Sequence, residues 1–144
     1  MSSAALICDT GALLDYLVAE APDHAAFRTA IDRARTRYVP ALVLSELDYF
    51  LRNERAAMRA FMADLARGAF TLAPASPALL ARAMVIDEQF ASLRLGLVDA
   101  SIVALAEQLG VPRVATRDVR HFSAVRMRRD RALELVVIPS RPDA

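Results

Sequence analysis

Short apolar runs alternate with longer amphipathic stretches along this chain. The first run, Ala4-Ala5-Leu6-Ile7-Cys8, ends abruptly at Asp9-Thr10-Gly11. It reads as a buried strand, and Leu13, Leu14 and Leu17 follow it at helical spacing. Ala21-Pro22-Asp23 then marks a break and opens a helix to about residue 34, with Ala26, Phe27, Ala30 and Ile31 on its apolar face. Tyr38-Val39-Pro40 is a second short strand. Residues 41–51 form a helix that is apolar almost all round, interrupted only by Ser45, Glu46 and Asp48. Such a helix is expected to be buried, so charge inside it needs a reason. Asn53 is placed to cap the next helix, whose inner stripe is Met58, Phe61, Met62 and Leu65 and which Gly68 stops. Residues 70–73 form a third strand, Ser76-Pro77 opens a helix through Ile86, and Gly96 and Gly110 bracket another strong helix. Residues 114–116 make a fourth strand running into Arg117-Asp118, and residues 135–138 a fifth, closed by Pro139.

Strands alternating with helices predict an α/β fold: a mainly parallel sheet of four to five strands between two helical layers, with right-handed crossovers. The 144 residues fit one domain, and no repeat, linker or low-complexity tract divides them. A chain of that size buries about 68–70% of its unfolded surface. Its 56% hydrophobic content exceeds the usual 45–50% or so. Some apolar surface is therefore expected to face a partner or a second copy, although alanine, a helix former, supplies much of the excess. The single cysteine, Cys8, excludes an intrachain disulfide, and with His24 and His121 it makes no metal-site spacing. A buried thiol in a reducing compartment is expected. There is no leader pattern and no apolar run of bilayer length, so the expectation is a soluble, cytoplasmic protein without a membrane partner.

The net charge of +1 says little, but its distribution is uneven. Residues 1–110 hold 10 Arg against 13 acids, and residues 111–144 hold 8 Arg against 4. Every basic residue is arginine. That excludes a phosphate-loop lysine, a Schiff-base lysine and a receiver-type catalytic lysine.

Four acids fall where a parallel sheet would gather them. Asp9 ends the first strand, Glu46 lies in the apolar helix after the second, Asp99 starts the helix after Gly96, and Asp118 follows the fourth strand. Each has a plainer reading: Asp9 and Asp99 as helix caps, Glu46 as the partner of a buried arginine, Asp118 as a turn residue. Gathered in one crevice, four carboxylates repel, and one or more must stay protonated unless a cation neutralises them. A site made only of oxygen ligands favours Mg²⁺ or Mn²⁺ over Zn²⁺. Such an ion beside water suits hydrolysis of a phosphodiester, with no side-chain nucleophile required. A phosphotransferase using Asp9 as nucleophile ranks last, because Gly11 stands where a second Asp is wanted and there is no lysine.

These residues resemble the PIN domain family, in particular the VapC-type toxins of bacterial toxin–antitoxin (VapBC) pairs. The matching segments are Leu6-Ile7-Cys8-Asp9-Thr10, Pro40-Ala41-Leu42-Val43-Leu44-Ser45-Glu46-Leu47, Gly96-Leu97-Val98-Asp99-Ala100-Ser101-Ile102-Val103-Ala104-Leu105-Ala106, and Val114-Ala115-Thr116-Arg117-Asp118 with His121-Phe122 after it. The resemblance implies a three-layer α/β/α PIN fold over 1–144 and a Mg²⁺- or Mn²⁺-dependent endoribonuclease. Its catalytic acids would be Asp9, Glu46, Asp99 and Asp118, with Asp9 and Asp99 as direct metal ligands. Thr10 and Thr116 would orient the carboxylates. RNA would be the substrate, a cognate VapB-like antitoxin the inhibitor, and a homodimer the assembly. The alternative is a PIN-like module that binds or scaffolds without cutting. The arginines at 113, 117, 120, 126, 128, 129 and 131 are expected to guide RNA backbone to the acids or to meet an acidic antitoxin segment. Arg117 stands where relatives often carry an apolar residue. His121 is expected to pack or face solvent rather than act as a base.

Overall fold

The computed structural model describes residues 5–140. Five parallel strands form one sheet in the order β3-β2-β1-β4-β5: β1 (Ala5–Cys8), β2 (Thr36–Pro40), β3 (Thr71–Ala73), β4 (Arg113–Ala115) and β5 (Glu134–Leu135). The helices α1 (Thr10–Leu17), α2 (His24–Arg33), α3 (Ala41–Phe50), α4 (Arg55–Ala66), α5 (Pro77–Gln89), α6 (Gly96–Leu109) and α7 (Val119–Ala124) flank it. α1 packs on α2 and α3, and α5 on α6. Thus the parallel α/β architecture expected from the pattern is the one observed.

β1 is the central strand, and Leu6, Ile7 and Cys8 are wholly buried, as a strand covered on both faces requires. Of the segment read as this strand, Ala4 lies outside the described residues. The chain order reverses at β1: β2 and β3 lie on one side, β4 and β5 on the other. In an open parallel sheet that switch point is where a crevice opens, beyond the carboxyl ends of the strands. The register sets what meets there. Cys8 pairs with Ala115, and the Asp9 N–H donates to the Ala115 carbonyl at 2.9 Å, so Asp9 and Thr116 leave the sheet side by side.

Three expectations need correction, and one helix was not foreseen. The fifth strand lies at Glu134–Leu135, not at residues 135–138. Its partner β4 is only three residues long, so after the Val136 N–H reaches the Val114 carbonyl no ladder remains to pair with. α4 begins at Arg55 without a side-chain cap, so Asn53 does not cap it. α7, too short and polar to show a periodic stripe, was absent from the sequence pattern. Finally, α3 is not buried all round: Val43 and Leu47 are, whereas Tyr49 and Phe50 are 60% and 56% exposed.

Candidate active site

Asp9 follows β1 as the residue before α1, and it is both a helix-terminal group and a cleft group. One carboxylate oxygen accepts from the Thr10 N–H at 2.8 Å, the other from the Thr116 hydroxyl at 2.7 Å. The Thr116 hydroxyl in turn accepts from the Asp118 N–H at 2.9 Å. One buried oxygen therefore ties the acid after β1 to the acid after β4. Glu46, in the middle of α3, receives the Thr10 hydroxyl at 2.6 Å rather than a buried arginine. Asp99 lies in the first turn of α6 but makes no capping bond there. Its partner is His121 Nδ1, at 2.9 Å. Asp118 accepts from the His121 N–H at 2.9 Å and so opens α7, while its other oxygen lies 2.8 Å from the His121 Nδ1.

All four acids line one cleft of about 340 Å³, with Thr10 and Phe50 on its wall. Burial, reinforced by the charges of Asp99 and Glu46, pushes the Asp9 carboxyl up to about 7, against the pull of its Thr116 and Thr10 hydrogen bonds. Burial likewise pushes Asp99 up to about 6, opposed by its bond to His121. Burial is the main cause of both shifts, and the crowding argued from the sequence adds to it.

His121 corrects its expectation. It is neither a surface nor a packing residue; its ring nitrogen sits between two of the acids. Among the described residues, Asp99, Asp118 and His121 are a group whose ligand atoms lie within 4.8 Å of one another, close enough to share an ion. The spacing of three from Asp118 was in the sequence, but it puts His121 on the same face only because α7 forms there, which the sequence pattern did not show.

Arg117 also differs from expectation. It bridges Asp15 at 2.5 Å and Asp23 at 2.8 Å, all three side chains being nearly buried, and it helps wall the cleft. Its stem runs over Gly11, where an added Cβ would stand 3.1 Å from Arg117 Cγ, so a side chain there would press on the Arg117 stem. Arg126, Arg128, Arg129 and Arg131 do not converge on the acids. Arg126 donates to the carbonyls of Ser123 and Val125. Arg128, Arg129 and Arg131 line a separate cleft of about 260 Å³ beside Glu107 and Gly110, at the far end of α6 from Asp99. The helix between Asp99 and Glu107 spans about 12 Å. Proximity in sequence did not carry these side chains to the site.

Comparison with known proteins agrees with this geometry. The family model of the PIN domain matches residues 6–127. The chain is 39% identical over 124 residues to Ribonuclease VapC26 of Mycobacterium tuberculosis, covering 84% of this chain and 92% of that protein. Three solved structures share the fold at a TM-score of 0.66. One is M. tuberculosis VapC20, a toxin that cleaves the sarcin–ricin loop, 19% identical over 76% of this chain and 86% of that one. Another is a toxin–antitoxin complex from Klebsiella pneumoniae, 19% identical over 83% and 91%. The third is VapBC2 of Rickettsia felis bound to a promoter DNA fragment, 13% identical over 91% and 98%. With a family model spanning most of the chain and a relative aligned over nearly all of its own length, the chain belongs to the PIN domain family and is a relative of the VapC ribonucleases.

Proposed function

We propose that the chain is a single-domain endoribonuclease toxin that hydrolyses RNA phosphodiester bonds with a divalent cation, Mg²⁺ or Mn²⁺, and is silenced by a cognate VapB-like antitoxin. The observation that carries this reading is the convergence of Asp9, Glu46, Asp99 and Asp118 on one cleft, with Thr10 and Thr116 bonded to two of them. Kinship with Ribonuclease VapC26 supports it. No antitoxin or RNA contact is required to assemble these acids, which already meet in the single chain.

The donor set fits a hard cation. Asp9 and Asp99 are raised to about 7 and about 6, so each holds its negative charge at a cost that a cation would remove. Asp9 and Asp99 are the direct ligands in this reading, and Glu46 and Asp118 complete the acidic wall; the tighter group of Asp99, Asp118 and His121 is the competing placement for the ion. When bound, the ion makes water a stronger acid and neutralises charge on a phosphoryl oxygen. The chain's own residues prepare that chemistry. Thr116 fixes the Asp9 carboxylate and Thr10 fixes Glu46, so neither acid must find its orientation on binding. His121 holds Asp99 and Asp118 in place through one ring nitrogen.

Purified protein incubated with RNA and Mg²⁺ or Mn²⁺ should give discrete fragments, and a chelator should stop their appearance. Asp9→Asn and Asp99→Asn should each abolish cleavage while the protein stays folded. Cleavage that survives both substitutions would sink the reading. Expression alone should arrest growth, and co-expression with the antitoxin should relieve it. A homodimer in the cytoplasm fits this function: Met84 and Val85 on α5 are each about half exposed, and no helix among the described residues is long and apolar enough to cross a membrane. Light scattering of the purified protein measures the assembly.

A further inference from the structure

α3 carries two aromatic rings in the open. Phe50, 56% exposed, forms part of the wall of the acidic cleft. It lies four residues after Glu46, hence one helical turn along the same face, about 5–6 Å between Cβ atoms. Tyr49, 60% exposed, meets it edge to face with centroids 5.6 Å apart. The Arg52 guanidinium lies 4.3 Å from the Tyr49 ring centroid and is anchored by a 2.8 Å bond to the Tyr49 carbonyl. Asp48, next to Tyr49 in the chain, is taken up by Arg55 at 2.8 Å. The surface leading out of the cleft therefore reads acid, ring, ring, cation. Nothing in the core uses these rings, although α3 could have buried them.

We propose that Phe50, with Tyr49 and Arg52 behind it, is a stacking platform for the nucleobase next to the scissile phosphate of single-stranded RNA. The proposal rests on the nuclease reading above and adds to it a contact that binds a base of the substrate strand whatever its identity. Aromatic rings beside a cation are how single-stranded nucleic acid is held without base pairing, the ring taking the base and the cation the backbone. One turn of helix between Glu46 and Phe50 is the scale of one nucleotide, so a phosphate at the acids puts its neighbouring base within reach of the ring. RNA is favoured over a protein segment because the ring is continuous with the acid-lined wall and because Arg52 is directed to a backbone carbonyl and a ring, not to an acid.

The test uses the full-length protein with Asp9→Asn, so that RNA is bound and not cut. Fluorescence anisotropy measures its affinity for a short labelled ribo-oligonucleotide of mixed sequence and for a fully abasic ribose-phosphate oligomer of the same length. Phe50→Ala should weaken binding of the oligonucleotide roughly 5- to 150-fold, the range of one lost base stack. It should leave binding of the abasic oligomer within about twofold, and Phe50→Trp should restore affinity. In the otherwise wild-type protein, Phe50→Ala should raise KM far more than it lowers kcat. Being exposed, Phe50 can be replaced without loss of the fold, which a thermal melt checks. Equal oligonucleotide affinity for Phe50→Ala and its parent, or an equal loss on the abasic oligomer, overturns the platform while leaving the nuclease reading intact. A Phe50→Ala protein that binds RNA normally but loses its antitoxin assigns the rings to the antitoxin and likewise overturns it. If protein with Asp9 intact neither binds nor cuts RNA with Mg²⁺ or Mn²⁺, both readings fall together.

Discussion

Replacing Asp9 by Asn should make the metal-free protein more stable, although it removes the central acid of the site. The sign follows from linkage. The Asp9 carboxyl is raised from 3.8 to about 7 by burial, so between those values the folded state holds a proton that the unfolded state has released. Stability therefore falls as pH rises through that window, and the full penalty stands above it. Three pH units of displacement correspond to about 4 kcal/mol at pH 8 and about 2 kcal/mol at pH 5, and to almost nothing near pH 3.5. Asn removes this penalty at every pH. It keeps an acceptor for the Thr10 N–H but disturbs the Thr116 bond, a loss of about 1–2 kcal/mol. The net gain is about 2–3 kcal/mol at pH 8, or roughly 5–10 °C in Tm for a chain of this size. By pH 5 gain and loss should cancel. Thermal melts with a chelator across pH 4–8 measure this, and the same melts with Mg²⁺ supply a control. Wild type should rise with Mg²⁺ because the ion binds only the folded state, whereas the Asn protein should respond weakly or not at all. An Asn protein that melts no higher than wild type at pH 8 in chelator, or that gains as much from Mg²⁺, refutes the reasoning.

Because Asp9 and Asp99 sit at about 7 and about 6, protons should compete with the cation. Calorimetry should show Mg²⁺ or Mn²⁺ affinity falling on acidification below neutrality, and a flat profile from pH 5 to 8 would contradict the site. Thr116→Val removes a donor to Asp9 and the acceptor of the Asp118 N–H. It should push the Asp9 carboxyl further up, shift the pH–rate profile of cleavage to higher pH and cost roughly 1–3 kcal/mol of stability, with Ser restoring both. Arg117→Met strands Asp15, whose side chain is about one-tenth exposed, whereas Asp23 keeps its bonds from the Ser140 N–H and hydroxyl. Urea unfolding should report a loss of about 2–4 kcal/mol. A loss under 0.5 kcal/mol or so would show that the bridge is incidental.

Much of the site was legible because it depends on where strands end. An apolar run stopped by Asp9, and another stopped by Thr116-Arg117-Asp118, name the carboxyl edge of a parallel sheet without any coordinates. Glu46 announced itself as a charge in an apolar helix. The alternatives left open, cap or site, proved not to exclude each other: Asp9 bonds the first N–H of α1 and faces the cleft, and Asp118 opens α7 while facing the same space. Asp99 alone separated the two, for it caps nothing and bonds His121. The exposed face of α3 could not be foreseen, because hydropathy ranks Tyr49 and Phe50 as core whatever surrounds them.

The sequence by itself determined the alternation of strands and helices, and with it the class of fold, since period and punctuation are local properties of the chain. It also determined which acids stand at strand ends. Only the tertiary structure decided who their neighbours are. Long-range pairing of β1 with β4 puts the Thr116 hydroxyl on Asp9, and the turn of the chain into α7 beyond β4 brings His121 to Asp99. Arg128, Arg129 and Arg131 went elsewhere because the chain after β4 turns through α7 to the opposite end of α6, whereas Arg117, next to β4, stays at the acidic cleft. Side chains adjacent along a chain share a site only when the backbone between them stays at one edge of the sheet, and that is settled by how elements pack, not by composition.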